Sequence, residues 1–155
     1  MTSAKEALLL RRAGACPVSR ISPGDTNKFV MLVDPLSDRT PFVSAVEIFE
    51  VGGKTPPHFH ATAHEMFYVL SGSGRCRCDD GSLHEITQGD ALVLRPGLEH
   101  VIENTGTERL YCLTVMVPNE GFAEMIRNGQ PMALDQADRA VVIGPQDSKS
   151  SSATD

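Results

Sequence analysis

Short runs of alternating hydrophobic and polar residues fill most of the chain, and glycine, proline, asparagine or aspartate breaks them about every ten residues. That rhythm belongs to strands joined by tight turns. It predicts strands over 28–33, 42–51, 65–70, 75–78, 82–86, 91–95, 100–103 and 109–117. The breaks are explicit: Ser22-Pro23-Gly24-Asp25, Ser37-Asp38-Arg39-Thr40-Pro41, Gly52-Gly53, Ser71-Gly72-Ser73-Gly74, Asp79-Asp80-Gly81, Gln88-Gly89-Asp90, Pro96-Gly97 and Asn104-Thr105-Gly106. The expected class is all-β, a sandwich or a barrel.

After Pro118 the period changes from two towards that of a helix. Phe122, Met125 and Ile126 make one apolar stripe, Asn119 is a suitable cap, and Asn128-Gly129 a stop, which predicts a helix over 121–127. Residues 134–139 suit one further helical turn, and Ser-rich polar sequence from Gly144 suits a disordered tail. At the other end, residues 5–12 suit a short helix or an arm that packs on a second subunit. The expected organisation is an N-terminal arm (1–33), either at a dimer interface or padding one face of the barrel, then a barrel (34–118), a helical segment (119–143) and a tail (144–155).

Composition narrows the partners. A chain of 155 residues that is 41% hydrophobic suits a single domain with an ordinary core. A net charge of −6 argues against nucleic acid and anionic membranes as general partners. No apolar run is long enough to span a bilayer, and Ala7-Leu8-Leu9-Leu10 before Arg11-Arg12 makes a poor signal peptide, so a cytoplasmic location is expected. Cys16, Cys76, Cys78 and Cys112 are too few for a disulfide framework and read as reduced thiols.

The chemistry is concentrated between Gly52 and Gly72, which holds three of the five histidines. His58 and His60 share one face of an extended segment, with Phe59 turned away. Glu65 opens the next strand, across Ala61-Thr62-Ala63, and a closed barrel can bring His100 across from a separate hairpin. Three imidazoles and a carboxylate suit Fe2+, Mn2+, Ni2+, Cu2+ or Zn2+. His64 precedes Glu65 and faces the other way on a regular strand, which makes it exposed or a hydrogen-bonding support behind the ligands. An irregular loop would let it replace or join Glu65. His84 reads as a surface residue.

This stretch resembles the first motif of the cupins, a Gly, five residues, His-x-His, four residues, Glu, six residues and Gly, through Gly52, His58, His60, Glu65 and Gly72. Gly89, Gly97, His100 and Asn104 match the second motif, although Arg95 stands at its proline position and Pro96 follows one place later. The resemblance covers about residues 40–118. It implies a double-stranded β-helix, a jelly-roll barrel with one divalent metal bound inside by His58, His60, Glu65 and His100. It also implies a small-molecule substrate and a homodimer.

The leading expectation is a non-haem iron dioxygenase or related oxidoreductase. By alternation Phe67, Val69 and Ile102 point inward, either as a dry pocket floor or as plain barrel core. Arg95 and Arg109 are candidates to meet an anionic substrate group, or solvated charges. An isomerase, decarboxylase or lyase is the alternative. It needs an additional general base, and Tyr68 should face outward. A small-ligand sensor without catalysis is the third possibility.

Overall fold

Ten strands form in the computed structural model of the chain, which describes residues 7–145. They are β1 (Val18–Arg20), β2 (Asn27–Val33), β3 (Val43–Phe49), β4 (His64–Ser71), β5 (Ser73–Cys78), β6 (Leu83–Thr87), β7 (Ala91–Leu94), β8 (His100–Asn104), β9 (Leu110–Val117) and β10 (Gln130–Pro131). Three short α-helices, α1 (Pro35–Asp38), α2 (Phe122–Arg127) and α3 (Gln136–Val142), and one 3-10 turn over Ala13–Ala15 accompany them. A seven-stranded sheet in the order β10-β1-β2-β3-β9-β4-β7 faces a three-stranded sheet in the order β6-β5-β8. Bridges from Lys54 to Glu103 and from His58 to His100 lay segment 54–58 along β8 and extend the smaller sheet. The architecture is the expected all-β double-stranded β-helix.

The alternation that predicts β4 also sets its orientation: Glu65, Phe67 and Val69 are buried while His64 and Tyr68 are exposed. β3 departs from it because both its faces are covered. Phe49 joins Phe67, Val69, Cys76, Ile102, Leu110 and Cys112 in the barrel interior. Val46 and Ile48 pack outward, with Val30 and Tyr111, against Val141 and Val142 of α3. At the other end of the barrel, Ala123 and Ile126 of α2 close over Phe29, Met31, Val43 and Met116.

Two motif residues hold corners of this frame. Gly72 has φ +93°, and a Cβ there would lie 2.6 Å from the carbonyl oxygen of Arg109, so the turn from β4 to β5 requires glycine. Asn104 donates to the carbonyls of Glu50 (2.9 Å) and Glu108 (2.8 Å) and accepts from the amide of Gly106 (3.0 Å). It thereby ties the loop after β3 to the turn between β8 and β9.

Several expectations need correction. β2 pairs with β3 along nearly its whole length, so residues 27–33 belong to the barrel sheet and not to an arm ending at residue 33. β1 extends the same sheet. Residues 7–12 form no helix, and the remainder of the expected 5–12 segment lies outside the described residues, as does the tail from 146 onward. α1 replaces an expected turn: the Asp34 carboxylate accepts from the Leu36 amide at 3.0 Å, and Pro35 takes the first helical position. α2 starts at Phe122 and its N-cap is Gly121, not Asn119, although the Asn119 side chain still accepts from the Ala123 amide at 2.7 Å. α3 runs three residues past the expected turn, and Asp135 and Asp138 fix its start with a reciprocal capping box.

Candidate metal centre

His58 and His100 oppose each other across the two-stranded bridge, His100 donating its amide to the His58 carbonyl at 2.9 Å. His60 lies two residues on along the same extended segment, and Glu65 enters from the start of β4. The topology thus brings four side chains from two distant segments to one point, with ligand atoms all within 4.8 Å of one another.

The hydrogen bonds fix which atoms face that point. His58 donates from Nδ1 to the Pro56 carbonyl at 2.8 Å, and His100 donates from Nδ1 to the Leu98 carbonyl at 3.0 Å. In those tautomers each Nε2 carries a bare lone pair. Buried His100 Nε2 has no hydrogen-bond partner among the described residues and lies 3.4 Å from a Glu65 carboxylate oxygen. Two electron-pair donors facing each other in a buried site call for a cation between them. His60 Nε2 lies 2.9 Å from the same Glu65 oxygen. The donor set, three imidazoles and a carboxylate, fits a divalent transition metal.

The charges around the point agree. Hydrogen bonding to Glu65 raises the affinity of His60 for its proton, while burial lowers that of His58. Burial alone would raise Glu65, but its hydrogen bond with His60 at 2.9 Å and the charge of the imidazoles around it hold the carboxyl below its ordinary range. The carboxylate therefore stays anionic, as a ligand must.

A cavity of about 330 Å³ opens beside the four side chains. Ile21, Phe29, Phe67, Phe122 and Met125 supply its apolar lining, and Asn27, Glu47 and Lys54 its polar groups. The volume is near the lower end for small-molecule sites, which suits a compact ligand.

Residues 45–116 match the family described as Cupin domain. This segment is a cupin domain, and the fold around it is that of the cupin superfamily. An uncharacterized protein of Methanocaldococcus jannaschii, MJ1618, is 36% identical over 74 residues, covering 48% of this cupin and 58% of that relative. The match therefore spans less than two thirds of the relative's length. A predicted oxalate decarboxylase from Thermotoga maritima superposes with a TM-score of 0.64 at 24% identity, over 71% of this cupin and 99% of that chain. A cupin-superfamily sugar phosphate isomerase from Silicibacter pomeroyi gives a TM-score of 0.52 at 21% identity, over 59% of each chain. At these identities the two structures bear on the fold alone.

The structure sorts the other expected site residues. Phe67 lines the cavity of the cupin, but Val69 and Ile102 do not: both are sealed in the hydrophobic core, because Phe67 fills the level above them. Arg95 is exposed and does not line the cavity. Arg109 is turned to the outer face, bonded to Glu50 and Asp138 at 3.0 Å each. His64 is exposed on the far side of β4, and Tyr68 also faces out. His84 is on the surface. Cys76 and Cys78 lie on one face of β5 with sulfurs 3.9 Å apart, and all four cysteines are free.

Three residues of the cupin site were missed. Glu47 and Asn27 are buried cavity residues, the Asn27 amide donating to Glu47 Oε1 at 2.9 Å. Parity along β3 carried the signal, since Glu47 alternates with inward-facing Ala45 and Phe49. Glu120 gathers the ligand loop: its carboxylate accepts from the amides of Ala61 (3.1 Å), Thr62 and Ala63 (2.8 Å) and lies 4.0 Å from His60 Nδ1. No local pattern announces that role, which depends on a contact between residues nearly sixty apart.

Proposed function

We propose that this cupin is a metal-dependent enzyme acting on a small organic molecule, with dioxygenase-type oxidation as its reaction. The observation that carries the proposal is the buried, unpartnered Nε2 of His100 aimed with two further imidazoles at the Glu65 carboxylate, beside a small cavity. His58, His60, Glu65 and His100 would hold the metal. A divalent ion there supplies Lewis acidity or, as iron, a path for electrons to dioxygen. Iron is the favoured ion, and manganese, nickel, zinc and copper suit the same donors.

The chain's own residues define the substrate. Phe29, Phe67 and Phe122 exclude water and favour an apolar or aromatic body. Glu65 and the imidazoles fix one end of it. An N-terminal segment with exposed Leu8 and Leu10 supports pairing as a homodimer.

A second reading, a non-oxidative isomerase, decarboxylase or lyase, is favoured by Glu47. Such chemistry needs a proton-transferring group beyond the ligands, and Glu47 faces the same cavity. The likeness to a predicted oxalate decarboxylase and a sugar phosphate isomerase is compatible with it.

Metal analysis of protein purified without oxygen separates the two. Bound iron, with oxygen uptake on adding 1,2-diols or diketones, is the expected result. Tightly held zinc or nickel with no oxygen uptake moves the assignment to the second reading. His58→Ala and His100→Ala should each lose the metal, and full occupancy in both would show the ligand assignment to be wrong.

A further inference from the structure

We propose that Glu47 is the acid facing the bound substrate, an undissociated carboxyl that is aimed by Asn27 and donates its proton to a substrate oxygen. The inference rests on the metal-enzyme reading only for what the acid faces.

Glu47 lies on β3, 3% exposed, in the wall of the cavity that also contains His58, His60 and Glu65. One carboxyl oxygen accepts from Asn27 Nδ2 at 2.9 Å, and Asn27 is itself buried in the same wall. Among the described residues Glu47 has no salt bridge, although Lys54 lines the cavity. A carboxylate taken out of water without a cation is strongly disfavoured. Of the groups around it, Glu65 from β4 is anionic and deepens that penalty, while Cys112, directly opposite on β9, is kept a neutral thiol by burial and offers no compensating charge. Burial first, then Glu65, pushes the Glu47 carboxyl up to about 8, against the opposing hydrogen bond from Asn27. With Asn27 donating to one oxygen, the proton belongs on the other, where it can serve a ligand.

This specifies the substrate. Its polar end must offer an oxygen acceptor towards β3, as a carbonyl or enolate does, and its apolar body lies towards Phe122 and Met125. In the step, the O–H bond of Glu47 breaks and a new O–H bond forms on the substrate oxygen. The electron pair stays on the carboxylate, which keeps its bond from Asn27. Water entering through the cavity mouth returns the proton, and no oxidant or reductant is consumed.

Infrared spectroscopy of the metal-free full chain tests the acid without any substrate. At neutral pH the wild type should show the C=O band of a protonated carboxyl, absent in Glu47→Gln and shifted in Asn27→Ala. In the wild type the band should disappear as pH rises through about 8, and in Asn27→Ala it should persist to higher pH, because the lost hydrogen bond favoured the carboxylate. No band in the wild type, or one that survives Glu47→Gln, overturns the proposal. Metal content should match between Glu47→Gln and wild type. A wild type that shows the band but takes up no metal overturns the metal-enzyme reading alone. In the oxygen-uptake assay, Glu47→Gln should lower kcat about a hundredfold or more at unchanged metal content. An unchanged kcat removes Glu47 from proton transfer.

Discussion

Glu47 differs from the four metal-site residues in how it can be found. The histidines and Glu65 are legible because their spacing is regular and their side chains are chemically rare. Glu47 is one carboxylate in an apolar strand, and only inward parity marks it. Its proton has a thermodynamic consequence. The carboxyl titrates near 8 when folded and near 4.5 when exposed, so below both values folding neither takes up nor releases its proton. Between them the folded protein holds a proton that the unfolded chain has released, so this contribution to stability falls as pH rises. The loss is at most about 1.4 kcal/mol per pH unit and ends above the folded value. Glu47→Gln removes the slope. Denaturant unfolding of metal-free protein should show the variant gaining on wild type by several kcal/mol between about pH 5 and about pH 8. A difference that stays constant with pH would count against a protonated Glu47.

Among the elements, long strands with clear alternation were readable, and the shortest pieces were not. β1 and β10 have three and two residues, too few to show a period, and exist because they pair on the edge beside β2. The segment from Ala61 to Ala63 reads as a simple connection, yet Glu120 fixes it from the corner before α2. That corner depends on Glu120 in a left-handed conformation at φ 49°, beside Gly121. Glu120→Ala should release the loop that spaces His60 from Glu65. Loss of an outer partner of a ligating histidine typically weakens metal binding about 10–100-fold. Competition with a chelator would measure it, and metal affinity equal to wild type would show that the clamp is irrelevant to the site.

The fold as a whole was foreseeable from turn spacing and the two motifs, whereas the docking of α3 was not. That docking rests on a network between residues far apart in sequence. Asp138, 0% exposed, pairs with buried Lys28 and accepts from Arg109 and from the Tyr111 hydroxyl at 3.0 Å each. Arg109, a substrate candidate by sequence, is committed to this outer face. Asp138→Ala leaves Lys28 buried without its partner and should cost about 3–5 kcal/mol of unfolding free energy. Metal content of the folded variant should be unchanged, since the network lies on the opposite face of the sheet. Stability within 1 kcal/mol or so of wild type would refute the account.

The cavity wall is drawn from three stretches of the chain. The four candidate metal ligands and Glu47 fall inside residues 45–116, the segment that matches the family. Ile21, Ser22, Asp25, Asn27 and Phe29 precede that segment, and Phe122 and Met125 follow it. A chain cut back to residues 45–116 would therefore keep every candidate ligand and lose Asn27, the partner that aims Glu47, together with Phe29 and Phe122, aromatic side chains that would hold the body of a substrate. Binding the metal and choosing what meets it are separable properties of this molecule.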